Sequence, residues 1–118
     1  MQSKQSNPLA KEKQMAVQVL IRRKIVEEKI KEVAKLMVEL RSLARAQPGY
    51  ISSESLQCID PPGDDEYLIR GTWRSDEDWK RWLRSEQRVA IQKRIDAITH
   101  EKTEYKVYEM LVGGIFPK

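Results

Sequence analysis

Three features of the sequence predict an α+β fold: a four-stranded antiparallel sheet carrying two helices, in the order β-α-β-β-α-β. A long apolar stripe of helical period follows a short β-branched segment near the start. Two strand-like segments then flank Asp60-Pro61-Pro62-Gly63-Asp64-Asp65, a run suited to a turn. A serine-capped helical stretch leads from there into a last segment rich in Tyr and Val. This order is the split βαβ, or ferredoxin-like, arrangement.

Residues 1–14 are polar, lack a period and read as a flexible arm. The folded domain is expected over residues 15–112, with residues 113–118, opening on Gly113-Gly114, as a tail. Ala16 to Ile21 is β-branched and bounded by charges, the marks of a strand. Glu27 to Gln47 follows a 3.6-residue period that puts Ile30, Val33, Ala34, Met37, Leu40 and Ala44 on one stripe. Glu27 and Glu28 oppose the positive end of that helix's dipole, and Pro48-Gly49 stops it.

Tyr50 to Ile59 alternates loosely as a strand, and Glu66 to Trp73 resumes beyond the turn, so the two should pair as an antiparallel hairpin. Ser75-Asp76-Glu77-Asp78 matches a capping box, with Asp78 reaching back to the cap. Trp79, Trp82 and Leu83 supply the inward face of a short helix, a core-packing role. Ser85 reads as a second cap or a kink, before a stripe of Ile91, Ile95 and Ile98. The last strand is expected within His100 to Leu111.

A chain of 118 residues with 40% apolar residues suits one domain with a moderate core. The single cysteine, Cys58, rules out a disulfide framework within the chain and fits a reducing, cytoplasmic setting. One His and one Cys argue against a protein-only zinc site, and the short apolar runs give no membrane span. The basic excess, 22 Lys and Arg against 18 Asp and Glu, invites a nucleic-acid reading. Strand three, however, reads Tyr-Leu-Ile-Arg-Gly-Thr-Trp, without the aromatic pattern of an RNA-recognition motif, and the basic residues are interspersed with acids. No nucleic-acid partner is expected.

Two helices cover one face of such a sheet, and the other should then be polar in a monomer. It is not: Leu20, Leu68, Tyr108 and Met110 alternate away from Val17, Val19, Ile21, Tyr67, Ile69, Trp73, Tyr105 and Val107. A sheet apolar on both faces needs a second cover, and a homodimer is the expected one. The alternative is that residues 112–116 fold back over it.

Gly71-Thr72-Trp73-Arg74-Ser75-Asp76-Glu77-Asp78-Trp79, continuing to Ser85, resembles the signature of the antibiotic biosynthesis monooxygenase family. Pro48-Gly49-Tyr50 followed by Ser52, Ser53 and Glu54 is similar to another element of that family. The resemblance runs from about Met15 to Leu111. It implies a dimeric α/β barrel with two sheets face to face and, in each protomer, a pocket walled by Trp73. It also implies cofactor-independent oxygenation of a quinol, anthrone or related aromatic molecule, or haem degradation in one branch. In that branch a helix histidine ligates iron, and Gln92 stands at its place here; other members carry histidine where this chain has Arg88. Both departures argue against haem. Arg22 falls at a strand-one position that is a polar amide in the haem enzymes.

Tyr67, Gly71 and Trp73 share one strand face, where Gly71 opens room for a flat aromatic ligand. Arg88 and Gln92 are one turn apart and could face a pocket together, Arg88 stabilising an enolate or phenolate; a solvated helix face is the alternative. His100 is the obvious general base by its pKa, against its place at a helix-to-strand junction. The sequence therefore predicts Arg88 and His100 as catalytic, and Trp73, Tyr67, Gly71, Gln92 and Arg22 as substrate-binding, with no cofactor or metal. A non-catalytic dimer that binds a small aromatic ligand is the rival reading.

Overall fold

The computed structural model describes residues 16–111. The expected arm over residues 1–14, the tail over 113–118 and the cover by 112–116 all lie outside the described residues. The elements are β1 (Val17–Lys24), a single 3-10 turn at Glu27–Lys29, α1 (Ile30–Arg45), β2 (Tyr50–Gln57), β3 (Glu66–Trp73), α2 (Asp76–Leu83), α3 (Glu86–Thr99) and β4 (Glu104–Glu109). They form the expected ferredoxin-like α+β fold, with three helices where two were expected, because Ser85 caps a separate α3 and does not merely kink α2. The sheet runs β2-β3-β1-β4, with every neighbouring pair antiparallel.

β2 ends at Gln57 where Ile59 was expected and α1 at Arg45 where Gln47 was, and two further boundaries differ for identifiable reasons. β1 runs on to Lys24 instead of ending at Ile21, because Arg23 points inward and is buried, continuing the alternation of Val17, Val19 and Ile21. The segment before α1 starts as a 3-10 turn because Val26, at its cap, offers no side-chain acceptor. Within α1 the buried stripe is Val33, Leu36, Leu40 and Ala44, so Leu36 takes the place expected for Ala34.

Val19 pairs with Gly71 on one side and Val107 on the other, and Ile21 with Ile69 and Tyr105. That register aligns the inward side chains of three strands beneath the helices. Val17, Val19, Ile25, Val33, Leu36, Leu40, Trp73, Trp79, Trp82, Ile91 and Ile95 form the core between the layers. The opposite sheet face carries a shallow groove lined by Gln18, Leu20, Leu56, Leu68, Arg70, Tyr108, Glu109 and Met110. Leu56, Tyr108 and Met110 are exposed there. No helix among the described residues is long and apolar enough to cross a membrane.

Ser75 caps α2, accepting from the Asp78 N–H at 3.1 Å, and Ser85 caps α3, accepting from the Arg88 N–H at 3.2 Å. The reciprocal half of the expected box is not made. The Asp78 carboxylate accepts from the Ser75 hydroxyl at 3.1 Å and from Arg81 at 2.8 Å. Aspartate is one methylene shorter than the glutamate that normally reaches back.

Asp78 also sits against Gly49, whose φ is +89°; a Cβ there would lie 2.3 Å from Asp78 Oδ2 and 2.4 Å from Asp78 Cβ. The Gly49 carbonyl accepts from the Arg74 N–H at 2.7 Å, which ties this turn to the end of β3. Gly49→Ala is therefore expected to lower stability by about 2 kcal/mol or more, from the positive φ and the displaced start of α2. A urea midpoint equal to that of the unaltered protein would show that the contact yields without cost.

Candidate functional site

Between the inner face of the sheet and the helices lies a cavity of about 280 Å³. β1 contributes Val19, Ile21 and Arg23; β3 contributes Tyr67, Ile69, Gly71 and Trp73; α1 contributes Ile30, Met37, Leu40 and Arg41. Gly71 makes room in the floor, as its place in the strand suggests. The wall is a row of aromatic rings. Tyr50 meets Trp73 edge-on at 5.5 Å between centroids, Trp73 meets Trp79 at 5.9 Å, and Trp79 meets Tyr105 at 6.1 Å.

The polar end is built from two buried arginines on different elements. Arg23, only 3% exposed, comes from the inward alternation of β1, and Arg88, 4% exposed, from the first turn of α3. Arg88 donates to the Tyr105 hydroxyl and lies over the rings of Trp79 and Tyr105, 5.8 and 4.9 Å from their centroids. Arg23 Nη2 donates to Gln92 Oε1 at 2.8 Å, while its Nε and Nη1 are buried without an acceptor. Burial pulls the Arg23 guanidinium down to about 10, with Arg88 pushing the same way and Tyr105 and Asp96 opposing, so it stays charged at neutral pH.

Gln92 is the bracket that joins these groups. Its Oε1 accepts from Arg23 and, at 3.3 Å, from the Tyr105 hydroxyl; its Nε2 donates to Asp96 at 2.8 Å and Thr103 at 3.0 Å. With both ends of the amide engaged by protein, Gln92 stands behind the cavity and does not line it. Trp73, Tyr67, Gly71 and Arg88 do line it, and the fold brings these four together.

Besides Gln92, two residues singled out in the sequence are not brought there. Arg22 lies on the opposite sheet face, because it neighbours the inward Arg23 in a strand. It pairs bidentately with Glu66 at 3.1 Å, and the hydrogen bond from Arg22 holds the Glu66 carboxyl below its usual range. His100 is an exposed, left-handed residue closing the C-terminus of α3, with φ 56°. That terminal position keeps it out of the cavity lining. Arg23 is the residue that sequence reading missed; its signal was the alternation continuing beyond Ile21.

An aromatic-walled cavity with fixed positive charge and, among the described residues, no carboxylate or imidazole in its lining suits a flat, electron-rich guest that develops negative charge. Known proteins place the chain. Among curated protein sequences none matches it significantly. Several solved structures share its fold. A conserved protein from Methanosarcina mazei has a TM-score of 0.72 at 17% identity, covering 83% of this chain and 95% of that one. SnoaB, a cofactor-independent oxygenase from Streptomyces nogalater, has a TM-score of 0.69 at 16% identity, covering 88% of this chain and 99% of that one. At these identities the likeness concerns the fold alone. The sequence model named antibiotic biosynthesis monooxygenase matches residues 16–94, β1 through most of α3. With that match spanning two-thirds of the sequence, the fold and the Trp73 region lead to one assignment: the chain belongs to the antibiotic biosynthesis monooxygenase family.

Proposed function

We propose that the protein is a cofactor-independent monooxygenase of a quinol, anthrone or related aromatic molecule, acting in the cavity between sheet and helices. The observation that carries this reading is the cavity itself, walled by Trp73, Tyr67 and Trp79 and bearing Arg88 but, among the described residues, no acid. The ring system lies over Gly71 against Trp73. Arg88, steadied by the Tyr105 hydroxyl and the Gln92 behind it, favours the substrate's oxyanion.

His100 lies outside the lining, so the charge of Arg88 lowers the substrate's pKa and the proton passes to solvent water, from which the peroxide later recovers one. The substrate anion then gives an electron to dioxygen, and the resulting radical pair joins in a carbon–oxygen bond. Loss of water from the peroxide leaves the new carbonyl. For a methylene oxidised to a ketone, the substrate supplies all four electrons, one oxygen atom enters the product and the other leaves as water. Such chemistry asks for a dry, shaped site and few protein groups.

Oxygen uptake by the purified protein across a panel of quinols and anthrones tests this reading. Uptake above the substrate's own autoxidation is expected, and Trp73→Ala should reduce it by an order of magnitude or more through lost ring positioning. No uptake, with ligands still quenching tryptophan fluorescence, would favour a non-catalytic aromatic-binding protein, the reading that the missing base in the lining supports. The apolar groove on the outer sheet face supports a homodimer packed through that face. The single cysteine fits a cytoplasmic setting.

A further inference from the structure

We infer that the molecule bound in this cavity carries a permanent carboxylate, separate from its reacting oxygen, which seats on Arg23. The inference rests on the aromatic-pocket reading above and adds the chemical class of the guest.

Among the described residues three arginines, Arg23, Arg41 and Arg88, line the cavity, and no Asp or Glu does. Arg41 is exposed at the rim, whereas Arg23 and Arg88 are buried. The acid nearest to them through hydrogen bonds, Asp96, is itself exposed and reaches Arg23 only by way of the Gln92 amide. Two guanidinium charges thus share a low-dielectric interior with no buried counter-charge among the described residues. Buried charges are ordinarily paired, and buried donors ordinarily have acceptors.

The two arginines are not equivalent. Arg88 also has one nitrogen engaged, by the Tyr105 hydroxyl, but it lies over two ring faces and none of its nitrogens is buried without a partner. Arg23 has one engaged nitrogen, while Nε and Nη1 have no acceptor and the residue lines the cavity. A neutral quinol or anthrone leaves those N–H groups unmet until it ionises, and the oxyanion it then forms is assigned to Arg88. A carboxylate meets them from the moment of binding, with charge-assisted hydrogen bonds to a guanidinium held in place by Gln92. The exposed Arg41 at the rim adds attraction on the approach path.

A matched pair of probes tests this, a naphthohydroquinone carboxylate and the same naphthohydroquinone without the carboxylate. Each is titrated anaerobically against the full chain by quenching of tryptophan fluorescence, since Trp73 and Trp79 wall the cavity. The unaltered protein is expected to bind the carboxylate roughly tenfold tighter or more, the scale of a hydrogen-bonded charge. Arg23→Gln should bring the two affinities level. Where Arg23→Gln fails to fold, Arg23→Lys, which keeps the charge and loses the planar fork, should show an intermediate preference. Equal affinities in the unaltered protein would overturn the carboxylate seat while leaving the aromatic pocket standing. Binding of neither probe would overturn the pocket and the seat together. A preference that survives Arg23→Gln and disappears in Arg88→Gln or Arg41→Gln would overturn the assignment to Arg23.

Discussion

Trp79→Ala is expected to lower the unfolding free energy by about 3–5 kcal/mol, enough to take away much of the ~5–15 kcal/mol typical of a domain. Trp79 is 1% exposed and stands at the centre of the aromatic row, touching the rings of both Trp73 and Tyr105. Its removal leaves a void between α2 and the sheet that the surrounding core residues cannot close. It also strips Arg88 of one of its two ring faces, so a buried cation loses part of its support. The melting temperature should fall by on the order of 10–20 °C. Trp79→Phe, which keeps a ring there, should lose less than half as much. Equal melting curves for Trp79→Ala and the unaltered protein would show that the core is organised around another residue.

Sedimentation of Met110→Asp is expected to show monomers where the unaltered protein sediments as a dimer. This follows from the proposed pairing through the outer sheet face, where Met110, Leu20, Leu56, Leu68 and Tyr108 share one groove. Symmetry would bury the introduced carboxylate twice in each dimer. A buried charge without a partner costs about 3–5 kcal/mol, so association should weaken by roughly a thousandfold or more. Met110 is exposed in the single chain, so the fold itself should be spared. A dimer that persists would place the interface on another surface. Because the cavity lies on the opposite side of the sheet, oxygen uptake by the monomer would also report whether the site works alone.

The elements bounded by strong local chemistry were legible in the sequence. β3 begins and ends at the residues expected, between a Pro-Gly-Asp turn and a Ser75 cap that is made in the structure. The inward set of Tyr67, Gly71 and Trp73 followed from the period of two alone. What escaped was the polar end of the cavity. Arg22-Arg23-Lys24 looks like the charged border of a strand, and only the paired register shows that the middle residue continues the buried face. Gln92 was legible as a partner of Arg88 by helical spacing, but not as the bracket between β1, α3 and β4. That role depends on Arg23, Thr103 and Tyr105, which lie far from it in sequence or on other elements. His100 illustrates the converse. Its imidazole made it chemically attractive, while its place at a helix-to-strand junction, legible in the sequence and found in the structure, keeps it out of the cavity lining.

Gly71 sets a limit on girth. A Cβ built there would stand 3.4 Å from Trp73 Nε1 and 3.9 Å from the Ser52 carbonyl oxygen, ordinary contact distances. One methyl is therefore accommodated by the strand, and each carbon beyond it projects into the cavity. The residue acts as a sieve mesh that can be tightened stepwise, trading the width of the ring system admitted against a single side chain. Both arginines lie on other elements, so such a change would leave the charge pattern untouched. Selection for a narrower guest on this scaffold thus has a one-residue route that spares both the fold and the electrostatics.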